Sequence, residues 1–236
     1  QAWWPPLATL WNMPAWSLSV EVLFYALFPL LARLTARLSP ALLLAASAAL
    51  VVVTTALRRE FLSPTGLFPE PHAGLLAQAY FPPLYLPHFL FGLALGRWHL
   101  AHGTLPERPR RVAFAAAATA IVALFALASW LPWWSRSDLV LLPLFALLIL
   151  AGAVPGPAAG FLGHPALQRL GEASYALYIL HLPLRLWWDV GLVTLDIALP
   201  EVASFALYFA FVTAASLAVL RWIETPMRQR IAGASR

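Results

Sequence analysis

Long apolar stretches, separated by short groups of proline, glycine and charged residues, dominate the chain. Each is about 17 to 23 residues long, which as an α-helix suffices to cross a hydrocarbon core of roughly 30 Å. The breaks predict seven such helices, over residues 16–36, 41–57, 84–101, 112–131, 138–154, 172–188 and 201–222. The alternation typical of membrane β-strands does not occur. The pattern therefore predicts an all-α, polytopic transmembrane helical bundle.

The breaks also predict how the chain is organised. Residues 58–83 form the longest connection, and their five prolines argue against a continuous helix there. No Ser/Gly-rich linker or internal repeat divides the chain, so we predict one membrane domain over residues 1–236 without a separate soluble domain. The chain starts at Gln1 rather than Met and lacks a signal-peptide pattern. We therefore expect it to be the C-terminal part of a longer protein.

Composition supports a membrane environment. Hydrophobic residues make up 61% of the chain and charged residues 11%, against about 45–50% and about 25% in soluble domains. The lipid bilayer is therefore an expected partner. The chain has no cysteine, which excludes disulfides and thiolate chemistry. The sequence pI is about 10.2, but the arginines lie between the helices rather than on one soluble face, so we expect no nucleic-acid partner.

The distribution of arginine orients the predicted helices. The connections after the first, third and fifth helices and the C-terminal tail, counted with the helix ends that lead into them, hold eleven of the 15 basic residues, all of them arginine. The positive-inside rule then makes the C-terminus cytoplasmic and places residue 1 outside. Four arginines of the third connection and the helix before it could hold anionic lipid headgroups or the phosphates of a cytoplasmic cofactor: Arg97, Arg108, Arg110 and Arg111. Ordinary topogenic charge explains them equally well.

Tryptophan follows the opposite bias. Nine of the eleven tryptophans fall at the predicted outer face, and only Trp98 and Trp222 fall inside. One interpretation is an interfacial aromatic belt. The other is that some of these rings line a wet outer opening and stack on a sugar or another acceptor.

The first predicted helix contains a carboxylate in an apolar setting. Glu21 has Ser17 and Tyr25 one turn before and after it on the same face, with Trp16 and Ser19 nearby. A carboxylate facing lipid is costly, so we expect Glu21 to point into the bundle or a water-filled cavity. The alternative is a helix-packing carboxylate near the outer interface.

The sixth predicted helix carries a polar stripe. Ser174, Tyr178, His181 and Arg185 are spaced by four, three and four residues, so they share one face. His181 could act as a general acid or base near neutral pH, or it could only bond to a neighbouring helix. Glu21 is a possible partner for it, although no sequence argument brings the two helices together.

Other signatures carry less information. The six histidines are scattered without a metal-binding motif, so we expect no metal site. His88, near the outer end of the third helix, is interpreted as structural or interfacial. Gly92 and Gly96 form a GxxxG pattern, which allows close helix approach but is too common in membrane helices to indicate more.

Four segments carry a family resemblance. In this order and at these separations, "WSLSVEVLFYALFPLL", "FLFGLALGRW", "LGEASYALYILHLPL" and "WIETPMRQRI" resemble the C-terminal two-thirds of the integral-membrane acyltransferase-3 family. The resemblance implies a bacterial inner-membrane, multi-pass acyltransferase that modifies cell-envelope polysaccharides or similar acceptors. Its members move an acyl group, often acetyl, from cytoplasmic acyl-CoA to hydroxyls of glycans, lipids or small molecules. Acyl-CoA is thus an expected co-substrate, with no permanently bound cofactor. It also implies that the chain lacks the first helices of a bundle of about ten.

The resemblance also implies roles for individual residues. Glu21 matches the glutamate of the family's SVE motif, and His181 matches the histidine of its SYxxYLxH motif, so both are catalytic candidates. The expected substrate-lining residues around them are Trp16, Ser17, Ser19, Tyr25, Ser174, Tyr178 and Arg185. The family's presumed catalytic histidine lies upstream of this chain, so the 236 residues alone are expected to be inactive or nearly so.

Two other functions remain open at the level of the sequence. The intramembrane charges would also suit a fragment of a transporter or flippase, where they would belong to a substrate or proton path. A purely structural membrane subunit is a third possibility. The sequence does not identify the acyl group, the acceptor or the oligomeric state.

Overall fold

The regular elements that the structure describes are helices. A computed structural model describes residues 1–58, 71–104, 106–153, 160 and 163–234, and this part of the chain contains no strand. Its α-helices, in chain order, are α1 Trp16–Thr35, α2 Pro40–Leu57, α3 Pro71–Tyr80, α4 Leu86–His102, α5 Glu107–Ala126, α6 Asp138–Gly152, α7 Pro165–Thr194, α8 Glu201–Val219 and α9 Thr225–Ala234. A π-helical stretch, Leu220–Glu224, joins α8 to α9. The all-α prediction is confirmed.

Proline and its neighbours set several helix starts. Pro40 occupies the first turn of α2, and the Ser39 hydroxyl accepts a hydrogen bond from the Leu42 N–H at 3.2 Å. α4 ends where Gly103 adopts a φ of 71°, a left-handed conformation that costs glycine little. Prolines also flank the helix within the long connection. α3 begins at Pro71 and ends just before Pro82. Residues 59–70 of that connection lie outside the described part.

Two predicted helices were misplaced. The fourth begins at Glu107 and ends at Ala126, rather than spanning residues 112–131. Its first turns therefore include the arginines that we had assigned to a connection. The sixth, predicted over residues 172–188, runs from Pro165 to Thr194. The first and last turns of this helix contain polar and charged residues that are unusual in a membrane span. Most of these residues are nevertheless compatible with a helix.

Within the described part of the chain, four helices are long and apolar enough to cross a membrane: Met13–Thr35, Pro40–Leu57, Glu107–Ala126 and Glu201–Gly233. α6 is apolar but only 15 residues long, and α4 has 17 residues. α7 is longer, but it carries four charged residues, among them Arg185 and Asp189. These helices characterise a multi-pass membrane protein, while the count of seven crossings stays a prediction.

The described chain forms two compact units. The first contains Gln1–Ala8 and Trp16–Gly160, and the second contains Thr9–Ala15 and Phe161–Arg236. In the first unit α2 packs against α4 and α5 packs against α6; in the second, α7 packs against α8. Assignment of the whole chain to one membrane domain stays a prediction.

Contacts within the first unit fix the relative directions of its helices. α1 and α4 run in parallel, because Trp16 packs against Tyr85, Phe24 stacks on Phe89, and Arg97 donates a hydrogen bond to the Thr35 carbonyl. The α1–α2 connection and the C-terminal end of α4 therefore lie at the same end. We call this the basic end and the opposite one the aromatic end. This arrangement agrees with the alternation inferred from the arginines.

Candidate functional site

Glu21 lies at the edge of the face that α1 turns towards α4. Phe24 and Phe28, one and two turns further on, both contact Phe89, at centroid distances of 4.5 and 6.2 Å. Glu21 is half-buried, and among the described residues its carboxylate has no hydrogen bond or ion pair. Tyr25 is 73% exposed. Its ring therefore takes little part in the packing of this unit.

The other candidates on α1 have partners near the aromatic end. Ser19 is only 8% exposed, and its hydroxyl accepts hydrogen bonds from the backbone nitrogens of Gln1 (3.2 Å) and Ala2 (3.3 Å). It therefore anchors the N-terminal segment. Ser17 is half-buried. The Trp16 ring packs between Tyr80 and Tyr85, at 5.3 and 5.1 Å.

A charged cluster next to Trp16 was not predicted. Arg58 lies 3.4 Å from the Asp138 carboxylate, stacks 4.8 Å over the Tyr85 ring, and donates to the Leu84 carbonyl at 3.3 Å. His88 Nε2 is 3.1 Å from the same Asp138 oxygen, although the angle is poor for a hydrogen bond. The cluster ties together the ends of α2, α4 and α6. The sequence placed His88 near the outer end of its helix, but it gave no means of pairing His88 or Arg58 with Asp138.

The GxxxG glycines of α4 do not lie against another described helix. A Cβ atom added at Gly92 or Gly96 would meet no described heavy atom within 4 Å, other than those of its own helix. The two glycines therefore do not bring another described helix close. Gly92 instead lines an apolar groove together with Phe24, Phe28, His88, Phe89 and Leu93.

The polar stripe of α7 is only partly buried. Ser174 is exposed and donates to the Gly171 carbonyl at 2.7 Å. Tyr178 and His181 are half-buried, with ring centroids 6.0 Å apart. His181 Nδ1 lies 2.7 Å from the Tyr178 carbonyl. Because a carbonyl only accepts, this contact assigns the hydrogen to Nδ1, and the neutral imidazole then keeps its lone pair on Nε2.

Arg185 and α8 surround the C-terminal part of this stripe. The Arg185 guanidinium pairs with Asp189 at 2.9 Å and lies 5.3 Å over the ring of Tyr208. The Tyr208 hydroxyl in turn donates a hydrogen bond to the backbone carbonyl of His181. α8 thus contributes directly to the local structure around the histidine.

A second backbone contact lies two residues earlier in α7. Pro183 has no N–H, so it cannot make the usual helical hydrogen bond to the carbonyl of Ile179. The Asn12 side chain donates to that carbonyl at 3.0 Å. A proline inside a helical pattern signals a free carbonyl, but nothing in the sequence indicated which residue would bind it.

The four arginines proposed for cofactor binding differ in their surroundings. Arg97 donates to the carbonyls of Thr35, Ala36 (3.2 Å) and Leu38 (2.8 Å), so it caps the C-terminal end of α1. Arg111 pairs with Glu107 one turn earlier. Arg110 is only 6% exposed, whereas Arg108 is exposed. Phosphate binding by these residues stays a prediction, and Arg108 and Arg111 are the two exposed members of the group.

The two catalytic candidates belong to different units. Glu21 is part of the first unit and His181 of the second. Their pairing therefore stays a prediction. Within the described residues, no group of three or more His, Asp or Glu side chains is placed to bind a metal ion.

Comparison with known proteins identifies the family. A family model described as "Acyltransferase domain" matches residues 1–221, which is most of the chain. No curated protein and no solved structure matches it. The helical architecture, the SVE glutamate Glu21 and the α7 motif around His181 all lie within the matched range. The chain therefore belongs to the acyltransferase-3 family of membrane acyltransferases.

Proposed function

We propose that the protein is a membrane-bound O-acyltransferase of the bacterial inner membrane. It moves an acyl group, most simply acetyl, from acyl-CoA to a hydroxyl of a glycan, lipid or small-molecule acceptor of the cell envelope. The family match over residues 1–221 carries this proposal. It favours acyl transfer over a transporter or flippase, because the match covers both candidate regions, around Glu21 and around His181.

The two ends of the first unit support a direction for the reaction. The basic end contains Arg97 and the exposed Arg108, and acyl-CoA, with its phosphates, enters from this side. The aromatic end contains Trp16, Tyr80 and Tyr85, whose rings suit an acceptor arriving from outside. In this proposal the basic end and the C-terminus are cytoplasmic.

The chemistry is attack of the acceptor oxygen on the thioester carbonyl carbon. The C–O bond forms, the C–S bond breaks, and the hydroxyl proton leaves through a base and ends on the CoA thiol. Nε2 of His181 is suited to accept or return a proton because Nδ1 is already bonded to the Tyr178 carbonyl. The Tyr178 hydroxyl is a candidate donor to the developing oxyanion. In the first unit, Glu21 supplies a carboxylate that orients a polar group.

The proposal is tested on protein expressed from its complete gene and reconstituted in lipid vesicles. Release of CoA thiol is measured with acetyl-CoA and an envelope glycan or lipid fraction. His181→Gln is expected to lower kcat by about 10²–10⁴ if the imidazole moves a proton. His102→Gln is the matched control, since His102 also bonds through Nδ1 to a backbone carbonyl, that of Trp98 at 3.1 Å.

Two outcomes would contradict the proposal. Equal loss in the two histidine variants would mean that His181 has no special role in the chemistry. Unmodified protein that never releases CoA, but moves a labelled lipid or glycan across the vesicle membrane, would establish the transporter alternative instead.

A further inference from the structure

The backbone of α7 is interrupted next to its histidine. Pro183 lies inside the helix and removes the donor that would bind the Ile179 carbonyl. Ile179 follows Tyr178 and lies two residues before His181. The interruption thus falls within the turn that carries both candidate reactive side chains.

A free carbonyl in a helix that packs within a membrane protein needs another donor. Little water is available in the hydrocarbon region, so a backbone carbonyl without a partner there is strongly unfavourable. Asn12 provides the donor, with Nδ2 3.0 Å from the Ile179 oxygen. The assignment of the amide is unambiguous, because the carbonyl can only accept.

The segment that carries Asn12 is held against α7. Residues Thr9–Ala15 belong to the same compact unit as α7, and the short 3₁₀ helix Met13–Ala15 packs on it. The Tyr208 hydroxyl holds the neighbouring His181 carbonyl from α8. Two carbonyls of this turn, those of Ile179 and His181, are therefore bound by side chains from outside the helix.

We propose that Asn12 is a positioning residue for His181, because its side-chain amide replaces the helical hydrogen bond that Pro183 removes. Without this bond the turn between Tyr178 and Pro183 adopts several backbone arrangements. The imidazole then spends less time in the orientation set by its bond to the Tyr178 carbonyl. The inference rests on the proposed function, since it assigns His181 a part in acyl transfer.

The test is a double-mutant cycle between Asn12 and Pro183. Asn12→Leu keeps the approximate size of the side chain but removes the donor. Pro183→Ala restores a backbone N–H at residue 183, which can bind the Ile179 carbonyl. In the Pro183 background we expect Asn12→Leu to lower kcat about tenfold, the effect of one hydrogen bond, with KM for acetyl-CoA unchanged. In the Pro183→Ala background the same substitution is expected to change kcat less than about twofold.

Thr194→Val is the control for removal of a side-chain bond to the α7 backbone. The Thr194 hydroxyl donates to the Val190 carbonyl at 2.7 Å, near the exposed end of the helix. Its loss is expected to leave kcat unchanged in both backgrounds. Equal loss from Asn12→Leu in both backgrounds, or no loss in either, would overturn the proposal.

A second readout separates this inference from the proposed function. The same four proteins are unfolded by heat in detergent, and Asn12→Leu is expected to lower the Tm only when Pro183 is present. If the effect of Asn12→Leu on the Tm depends on Pro183 but its effect on kcat does not, the positioning role is overturned. If no variant and no unmodified protein transfers acetyl groups, the proposed function fails, while the Tm cycle still decides whether Asn12 replaces the missing hydrogen bond.

Discussion

At the scale of single residues, the carboxylate of Glu21 is the most unusual group of α1. It lies half-buried beside Phe24 and Phe28, with no described polar partner. A carboxylate in such a place costs free energy unless a polar group or water meets it. In an acyltransferase, that cost is consistent with a group kept available for substrate or for another catalytic element.

Replacing Glu21 by glutamine tests this interpretation. Glu21→Gln keeps the shape of the side chain and removes its charge, so it is expected to lower kcat by about ten- to a hundredfold through loss of orientation. Glu201→Gln is the matched control, because Glu201 is exposed in the first turn of α8. The measurement is CoA release by the complete protein in vesicles, and similar kcat values for the two variants would show that Glu21 is only structural.

Candidate residues were predictable from the sequence, whereas most of their partners were not. The spacing along α7 correctly placed Tyr178 and His181 one turn apart. It did not reveal that the Ser19 hydroxyl would accept from Gln1 and Ala2, or that Arg97 would cap α1. Such contacts depend on which segments become neighbours in space, and local periodicity contains no information on that.

At the scale of secondary-structure elements, charged side chains hold helix ends together in the first unit. Arg58 at the end of α2, His88 in the first turn of α4 and Asp138 at the start of α6 meet at one point. The Gln78 side chain also donates to the Arg58 carbonyl, at 2.9 Å. The three helix ends are thus connected through one carboxylate.

Neutralising that carboxylate should destabilise the first unit. Asp138→Asn weakens the contacts to both Arg58 and His88, and the partial exposure of the cluster limits the expected loss to about 1–2 kcal/mol. The measurement is thermal unfolding in detergent. Asp196→Asn is the control: Asp196 is exposed at a φ of 53°, a conformation that asparagine accepts, so its Tm should not change. A Tm for Asp138→Asn equal to that of the control would show that the cluster contributes no stability.

Helix boundaries were predictable where a capping residue or a proline lies at the helix start. The predicted starts at residues 41 and 201 lie within one residue of the observed starts of α2 and α8, where Ser39 precedes Pro40 and Pro200 precedes Glu201. The ends of α7 were missed because Gln168, Arg169 and Asp189 look unsuitable for a membrane span, although they are compatible with a helix. The apolar pattern therefore identified the part of α7 that is compatible with lipid, but not the polar turns at its two ends.

At the scale of the whole molecule, the distribution of charge predicts which loops face the cytoplasm. The chain has no cysteine, so single cysteines give unambiguous labels. Thr104 and Gly233 are exposed on the predicted cytoplasmic side, and Ser129 is exposed in the predicted outer connection after α5. Thr104 is preferred to Gly103, whose positive φ would strain a cysteine.

The expected labelling pattern follows from the positive-inside rule. In intact cells a membrane-impermeant maleimide should react with Ser129→Cys, and with Thr104→Cys or Gly233→Cys only after the membrane is opened. The cysteine-free parent protein controls for background. Labelling of Thr104→Cys or Gly233→Cys from outside would reverse the proposed entry sides of acyl-CoA and acceptor.

The last long helix gives this protein an internal measure of bilayer thickness. It is continuous over Glu201–Gly233, which is 33 residues. The twenty residues that separate Glu201 from Arg221 correspond to about 30 Å of helix, close to the thickness of a hydrocarbon core. We therefore expect Glu201 and Arg221 to lie at the two lipid boundaries, and the segment beyond Arg221, where Arg228 pairs with Glu224 at 2.9 Å, to lie among headgroups and water.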